Sequence, residues 1–172
     1  MIVGITGHRP DKLNNAYDVN HPLRKWLREQ FKTKFVELKA TTVISGMAIG
    51  ADVDGALSAI ELGIPVIAAV PFVGQEEKWS AFDKALYHKL LNEHVKQTVV
   101  VSVGGYHNEK FFTRNKWIVD NCEAIVAVHN GLIDFGGTFT TIKFASITGR
   151  SVHIINPNDG IDPVDIGATF GS

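Results

Sequence analysis

Three glycine-bearing turns hold the residues of this chain best suited to chemistry. They are Thr6-Gly7-His8-Arg9-Pro10, Ser45-Gly46-Met47-Ala48-Ile49-Gly50-Ala51-Asp52 and Phe135-Gly136-Gly137-Thr138. Each follows an apolar run rich in β-branched residues, and the last two lead directly into helix-like sequence. Glycine lets the backbone approach a ligand closely and adopts φ values that other residues avoid. A helix N-terminus then offers unpaired N–H groups and positive dipole to an anion. The combination predicts a site for a phosphorylated ligand, a nucleotide foremost, with plain tight strand-to-helix turns as the bland alternative.

Neither standard phosphate motif is present. The second glycine of Gly4-Ile5-Thr6-Gly7 is misplaced for the dinucleotide fingerprint, and Gly46 and Gly50 are too close, with no lysine, for a Walker loop. Arg9 is suited to clamp a phosphate or carboxylate through two parallel hydrogen bonds, or to remain a solvated surface arginine. His8 either donates to a ligand or caps its turn. Asp52, at a helix start, either accepts orphan N–H groups or contacts a ribose hydroxyl. Gln75 and Trp79 follow a strand, where a tryptophan can stack on a base and a glutamine read its edge; the alternative packs Trp79 on the next helix. Arg114 and Asn115 lie near the N-terminal turn of a helix and are placed to face the pocket, with Asp120 further along and outside it. The histidines have neither H-x-x-x-H nor H-E-x-x-H spacing and no G-x-S-x-G elbow occurs, so neither a metal site nor a hydrolase triad is expected.

These residues need a scaffold, and the hydrophobic pattern supplies one. Short apolar runs at Met1–Thr6, Thr42–Ile44, Val66–Val70, Val99–Val103, Ala124–Val128 and Val152–Ile155 read as six strands. Between them, Leu23, Trp26, Leu27, Phe31, Phe35 and Leu38 repeat at helical spacing, as do Phe82, Leu86, Leu90 and Leu91. Further helices are expected over Ala51–Leu62, Phe111–Cys122 and Thr138–Thr148, with Gly63 just past the end of the first. Fully apolar strands alternating with helices indicate an α/β fold whose parallel sheet is covered on both faces. Right-handed crossovers put every glycine turn at its carboxyl edge, where such sheets bind ligands.

The chain of 172 residues is read as one domain over 1–157, with an irregular tail over 158–172. Its composition, 45% hydrophobic and 20% charged, is that of an ordinary globular protein. A net charge of −1 with no Lys/Arg run argues against a nucleic-acid partner, because duplex phosphates demand clustered cations. The single cysteine, Cys122, permits no internal disulfide and is expected to pack as a small hydrophobe. No run approaches the ~18 apolar residues of a membrane span, and a cytoplasmic protein is expected.

The motifs Thr6–Pro10, Ser45–Asp52, Arg114-Asn115 with Val119-Asp120, and Gly136-Gly137-Thr138 together resemble the SLOG superfamily. That group includes the DNA-processing DprA proteins and the LOG phosphoribohydrolases, and the chain looks closest to its YpsA-like (DUF1273) and phage branches. The resemblance spans Met1 to about Pro157. It implies a Rossmann-like three-layer domain with a mostly parallel sheet, a nucleotide or nucleotide-derived ligand at the glycine turns, no further cofactor, and a homo-oligomer.

Three functions follow as expectations. The first is a module that binds a nucleotide, including a signalling derivative of NAD or ADP-ribose. The second is a LOG-like N-glycosidase releasing a base from a nucleoside 5′-monophosphate. Arg114 matches the LOG arginine, but Lys143 stands in place of the LOG glutamate and Phe139 in place of a glycine, leaving Asp52, Asp120 and Glu123 as candidate carboxylates. The third is a DprA-like, DNA-associated protein.

Overall fold

Six strands form one sheet in the order β4-β3-β2-β1-β5-β6, and every neighbouring pair is parallel. The computed structural model describes residues 1–132 and 135–161. The strands are β1 (Ile2–Gly7), β2 (Thr42–Ser45), β3 (Val66–Val70), β4 (Gln97–Val100), β5 (Ala124–Val128) and β6 (Ser151–Ile155). The helices between them are α1 (Pro22–Glu37), α2 (Ala51–Glu61), α3 (Ala81–Lys89, continued by a π-helical turn over Leu90–His94), α4 (Glu109–Asp120) and α5 (Gly137–Ile147). The α/β reading of the sequence holds, in its Rossmann-like form.

Side-chain alternation along the strands builds two cores. Val3, Ile5, Val43, Val66 and Ala68 face one side, where Leu23, Leu27, Phe31 and Phe35 of α1 pack with the buried face of α2. Ile44, Ala69, Ile125 and Ala127 face the other, against Ile118 and Val119 of α4 and Ala145 of α5. Burying each of these large side chains contributes roughly 1.5–3 kcal/mol before entropy is counted. Cys122 lies in the second core, and burial pushes its thiol up to about 11.

α1 begins at Pro22, whose fixed φ suits the first helical position, and the His21 side chain accepts a hydrogen bond from Leu23 N at 3.1 Å. The fourth strand departs from the expected Val99–Val103. It pairs over Gln97–Val100 with Ile67–Val70; Val101 N and Ser102 N still donate to the Val70 and Pro71 carbonyls at 2.9 and 3.1 Å, but Pro71 has no N–H to return a bond, so regular pairing ends there. The tail expected to be irregular starts as a 3-10 turn over Pro157–Gly160, and the remainder of that expectation, 162–172, lies outside the described residues. No helix among the described residues is long and apolar enough to cross a membrane.

This strand order positions the site. From β1 the chain winds outward through β2, β3 and β4, then returns to the opposite side of β1 as β5 and β6. The loops leaving β1 and β5 therefore diverge, opening a crevice beyond their carboxyl ends.

Candidate functional site

The loop after β2 is built around its own polar atoms. Ser45 Oγ donates to the Asp52 carbonyl at 2.8 Å and accepts from Met47 N at 3.1 Å, while the Asp52 carboxylate accepts from Ala48 N at 3.4 Å. Met47 has a φ of 60° and Gly50 one of 99°, so the turn passes twice through the left-handed region. At Gly50 a side chain would be strained and would also meet the His8 carbonyl at 2.9 Å.

Arg114 of α4 reaches under this loop. Its side chain is buried, donating from Nη1 to the Gly46 carbonyl at 2.7 Å and to the Ala69 carbonyl at 3.4 Å, and from Nε to Asn115 Oδ1 at 2.8 Å. Gln75 Nε2 donates to the same Gly46 carbonyl at 3.1 Å and lies 3.3 Å from the Tyr87 hydroxyl. Burial pushes the Asp52 carboxyl up, opposed by Arg114, the Ala48 N–H and Arg9. Arg114 thus ties the loop after β2 to strand β3, Gln75 joins the loop after β3 to the same carbonyl, and Asp52 serves as internal cap and counter-charge.

A second buried network, absent from the sequence reading, fixes the entry to α2. Arg24 Nε donates to Asp54 Oδ2 at 2.5 Å, and its Nη1 donates to the Ala16 carbonyl at 3.0 Å. Arg28 Nη1 donates to Asp54 Oδ1 at 2.8 Å, so a wholly buried carboxylate holds two guanidinium groups. This clamps the long loop after β1 against the first turn of α2.

His8 is also internal. Its Nε2 accepts from Asn130 N at 3.2 Å and its ring lies 4.8 Å from that of His129, joining the loops after β1 and β5. Burial, then the neighbouring His129 and Lys12, lowers its pKa to about 4, so the ring is neutral. The turn-capping reading of His8 fits this geometry. Gly7 sits where a side chain would meet Ala51 Cβ at 2.5 Å and Val128 Cβ at 2.9 Å.

Two cavities open at this edge. The smaller, about 180 Å³, is lined by Gly7, Arg9, Lys12, Gly137 and Thr138. α5 starts here behind Gly136 with no side chain capping its first turn. Lys12 Nζ lies 3.7 Å from where a Cβ on Gly136 would stand, and Asn115 Nδ2 lies 3.8 Å from the corresponding point on Gly137. Asp11 also lines the pocket, and exposed N–H groups beside the two cations Arg9 and Lys12 leave the balance suited to an anion.

The larger cavity, about 470 Å³, is bordered by Arg9, Phe72, Gln75, Trp79, Tyr106 and Phe111. Phe72 meets Phe111 edge-on at 5.4 Å and Tyr106 at 5.9 Å, and the Arg9 guanidinium lies 5.2 Å above the Phe111 ring. Trp79 is half-buried, edge-on to Tyr87 at 5.3 Å, so it both packs on the following helix and borders the cavity. Arg9 is exposed and lines both cavities.

The carboxylates divide by edge. Asp120 and Glu123 lie at the amino edge, where the Asp120 carbonyl accepts from Arg150 and Glu123 Oε1 accepts from Ile2 N at 3.1 Å. Neither can serve the crevice. Lys143 is exposed, with its Nζ 5.8 Å from the Phe139 ring centroid, so no carboxylate occupies the position of the LOG glutamate. The sequence reading missed Lys12, Phe72, Tyr106 and Phe111. Lys12 stands three residues beyond Arg9 and Tyr106 follows Gly104-Gly105, but nothing local says that these loops converge.

The fold and crevice define a Rossmann-like α/β protein of the SLOG superfamily, with its candidate site at the switch point of the sheet. More closely, the chain belongs to the DNA recombination-mediator protein A family, whose model matches residues 21–165. It is 31% identical over 104 residues to the uncharacterized SPbeta prophage-derived protein YoqJ of Bacillus subtilis, in a match covering 54% of this chain and 60% of that one. Among solved structures it resembles DNA processing protein A (DprA) from Streptococcus pneumoniae, at a TM-score of 0.65 and 20% identity, covering 99% of this chain and 56% of that one. It also resembles the Helicobacter pylori DNA processing protein A, studied for its single-stranded DNA binding mode, at a TM-score of 0.60 and 12% identity over 92% of this chain and 70% of that one. At these identities the structural likeness is one of fold. The chain spans less than two thirds of YoqJ and of the Streptococcus protein.

These findings overturn the expectation that argued against a nucleic-acid partner. That argument rested on net charge, which bears on an extended duplex-binding face. A single strand is held by stacking surfaces and a few local cations, which net charge does not register.

Proposed function

We propose that this chain binds single-stranded DNA at the crevice between the loops after β1 and β5. A phosphate is held by Lys12, Arg9 and the opening turn of α5, while the adjoining base enters the aromatic cavity. The observation that carries this reading is the shared wall: Arg9 borders an anion-suited pocket on one side and an aromatic pocket on the other. That is the alternation of charge and π-surface that a strand presents. Arg114 and Asp52 shape the floor and do not react. A cytoplasmic setting belongs to this reading.

The test is fluorescence anisotropy with a labelled single-stranded 12-mer over a salt series. Arg9→Ala and Lys12→Ala should each weaken binding about tenfold and reduce the salt slope by about 0.7, the share of one phosphate on a single strand. Absence of binding at low salt, or unchanged affinity in both variants, would refute the reading.

A second reading, a free nucleotide as ligand, is favoured by the confinement of the cations. Arg9 and Lys12 line the small pocket, and the chain as a whole carries a net charge of −1. Competition by a nucleoside monophosphate as effective as the 12-mer would select this reading. A strong dependence on strand length would select the first.

A further inference from the structure

Gln75 is held by one end of its amide only. Nε2 is committed to the Gly46 carbonyl, which as a carbonyl can only accept and so fixes which end of the amide is which. Oε1 is buried and has no hydrogen-bond partner among the described residues, although the residue borders the aromatic cavity. A buried acceptor left unpaired is destabilising, and natural structures carry few of them. Phe72, Phe111 and Trp79 give the same cavity its ring surfaces, while its other polar groups, on Arg9, Glu77, Lys78 and Tyr106, belong to exposed residues at its rim.

We infer that this cavity is a base-selective subsite in which Gln75 Oε1 accepts a hydrogen from an exocyclic amine, favouring cytosine and adenine over uracil and thymine. The inference rests on the reading of the crevice as a single-stranded DNA or nucleotide site. The chemistry follows from the shape of the base edge. An exocyclic amine projects beyond the ring and can reach a recessed acceptor. Uracil and thymine carry a carbonyl oxygen at that position, and their ring N–H is set back between two carbonyls, so oxygen would meet oxygen first. Stacking is indifferent to this difference, because every base has a π-face. Discrimination therefore falls to the one buried side-chain polar atom that lacks a partner among the described residues.

The test compares a dC 12-mer with a dU 12-mer, which differ only by amine against carbonyl at C4 and the protonation of the adjoining nitrogen. The wild-type protein should bind dC about tenfold more tightly, the value of one added hydrogen bond to an otherwise unpaired group. Gln75→Leu should bring the two affinities within twofold of each other, chiefly by weakening dC. Equal wild-type affinities would overturn the inference while leaving single-strand binding intact, and this comparison needs no variant to fold. A dC preference that persists in Gln75→Leu would overturn it as well, by assigning selection to another group. Failure to bind either strand would strike the underlying function instead.

Discussion

Gly46→Ala tests how tightly the loop after β2 is locked to α4. A methyl group at Gly46 would stand 2.5 Å from Arg114 Nη1, 2.6 Å from Cζ and 2.9 Å from Nε. Ordinary contact needs roughly 3.5–4 Å, so the guanidinium must retreat by about 1 Å. A flexible arginine on a surface would do so at little cost. Arg114 is buried, and its Nη1 is already engaged at 2.7 Å by the Gly46 carbonyl. A retreat of that size takes the bond beyond the usual limit of about 3.2 Å. Loss of a charged hydrogen bond costs about 1.5–3 kcal/mol, and overpacking adds about 1–3 kcal/mol. The sum is about 2.5–6 kcal/mol, or a fall in melting temperature on the order of 10 °C for a domain of this size.

A double-mutant cycle separates this mechanism from a general intolerance of the loop. Arg114→Ala alone should cost about 3–5 kcal/mol, because Asp52 is left buried without its cation. Adding Gly46→Ala to that variant should cost less than about 0.5 kcal/mol, since the obstructing group has gone. Thermal and urea unfolding followed by circular dichroism measure all four proteins. The reasoning is refuted if Gly46→Ala alone costs under about 1 kcal/mol, or if the two losses simply add.

Two further outcomes follow from buried polar groups. Arg24→Ala leaves the Asp54 carboxylate with Arg28 alone and takes a donor from three backbone carbonyls, so unfolding should show a loss of about 3–5 kcal/mol, with Asp54→Asn in the same background recovering part of it; a loss under about 1 kcal/mol would mean the network is redundant. His8 is held neutral with a folded pKa of about 4 against 6.5 unfolded. The stability it contributes is complete above pH 6.5 and is lost as pH falls toward 4, by an amount on the order of 3 kcal/mol. Melting temperatures across this window should therefore fall less steeply in His8→Gln than in the wild type, and parallel profiles would refute the assignment.

The sequence by itself determined the elements and the edge at which the site lies. Hydrophobic period is a local property, and the runs at Val66–Val70 and Ala124–Val128, like the stripe from Leu23 to Phe35, became strands and helix where they were read. Strand-helix alternation with right-handed crossovers then leaves the glycine turns no other place than the carboxyl edge. The limit of β4 was not legible, because a strand ends where its neighbour ends, and Pro71 is some thirty residues away in the chain.

Only the tertiary structure decided which polar side chains line the crevice and which serve the fold. His8, Asp52 and Arg114 have the composition of a reactive site, yet each is buried with its hydrogen bonds made within the protein. Lys12 and Tyr106 lie in unremarked loops, yet one approaches the start of α5 and the other packs on the ring of Phe72. The division depends on strand order, which sets the loops after β1 and β5 side by side although 122 positions separate His8 from Asn130. Local periodicity carries no information about such a pairing. Burial and convergence are properties of the assembled chain.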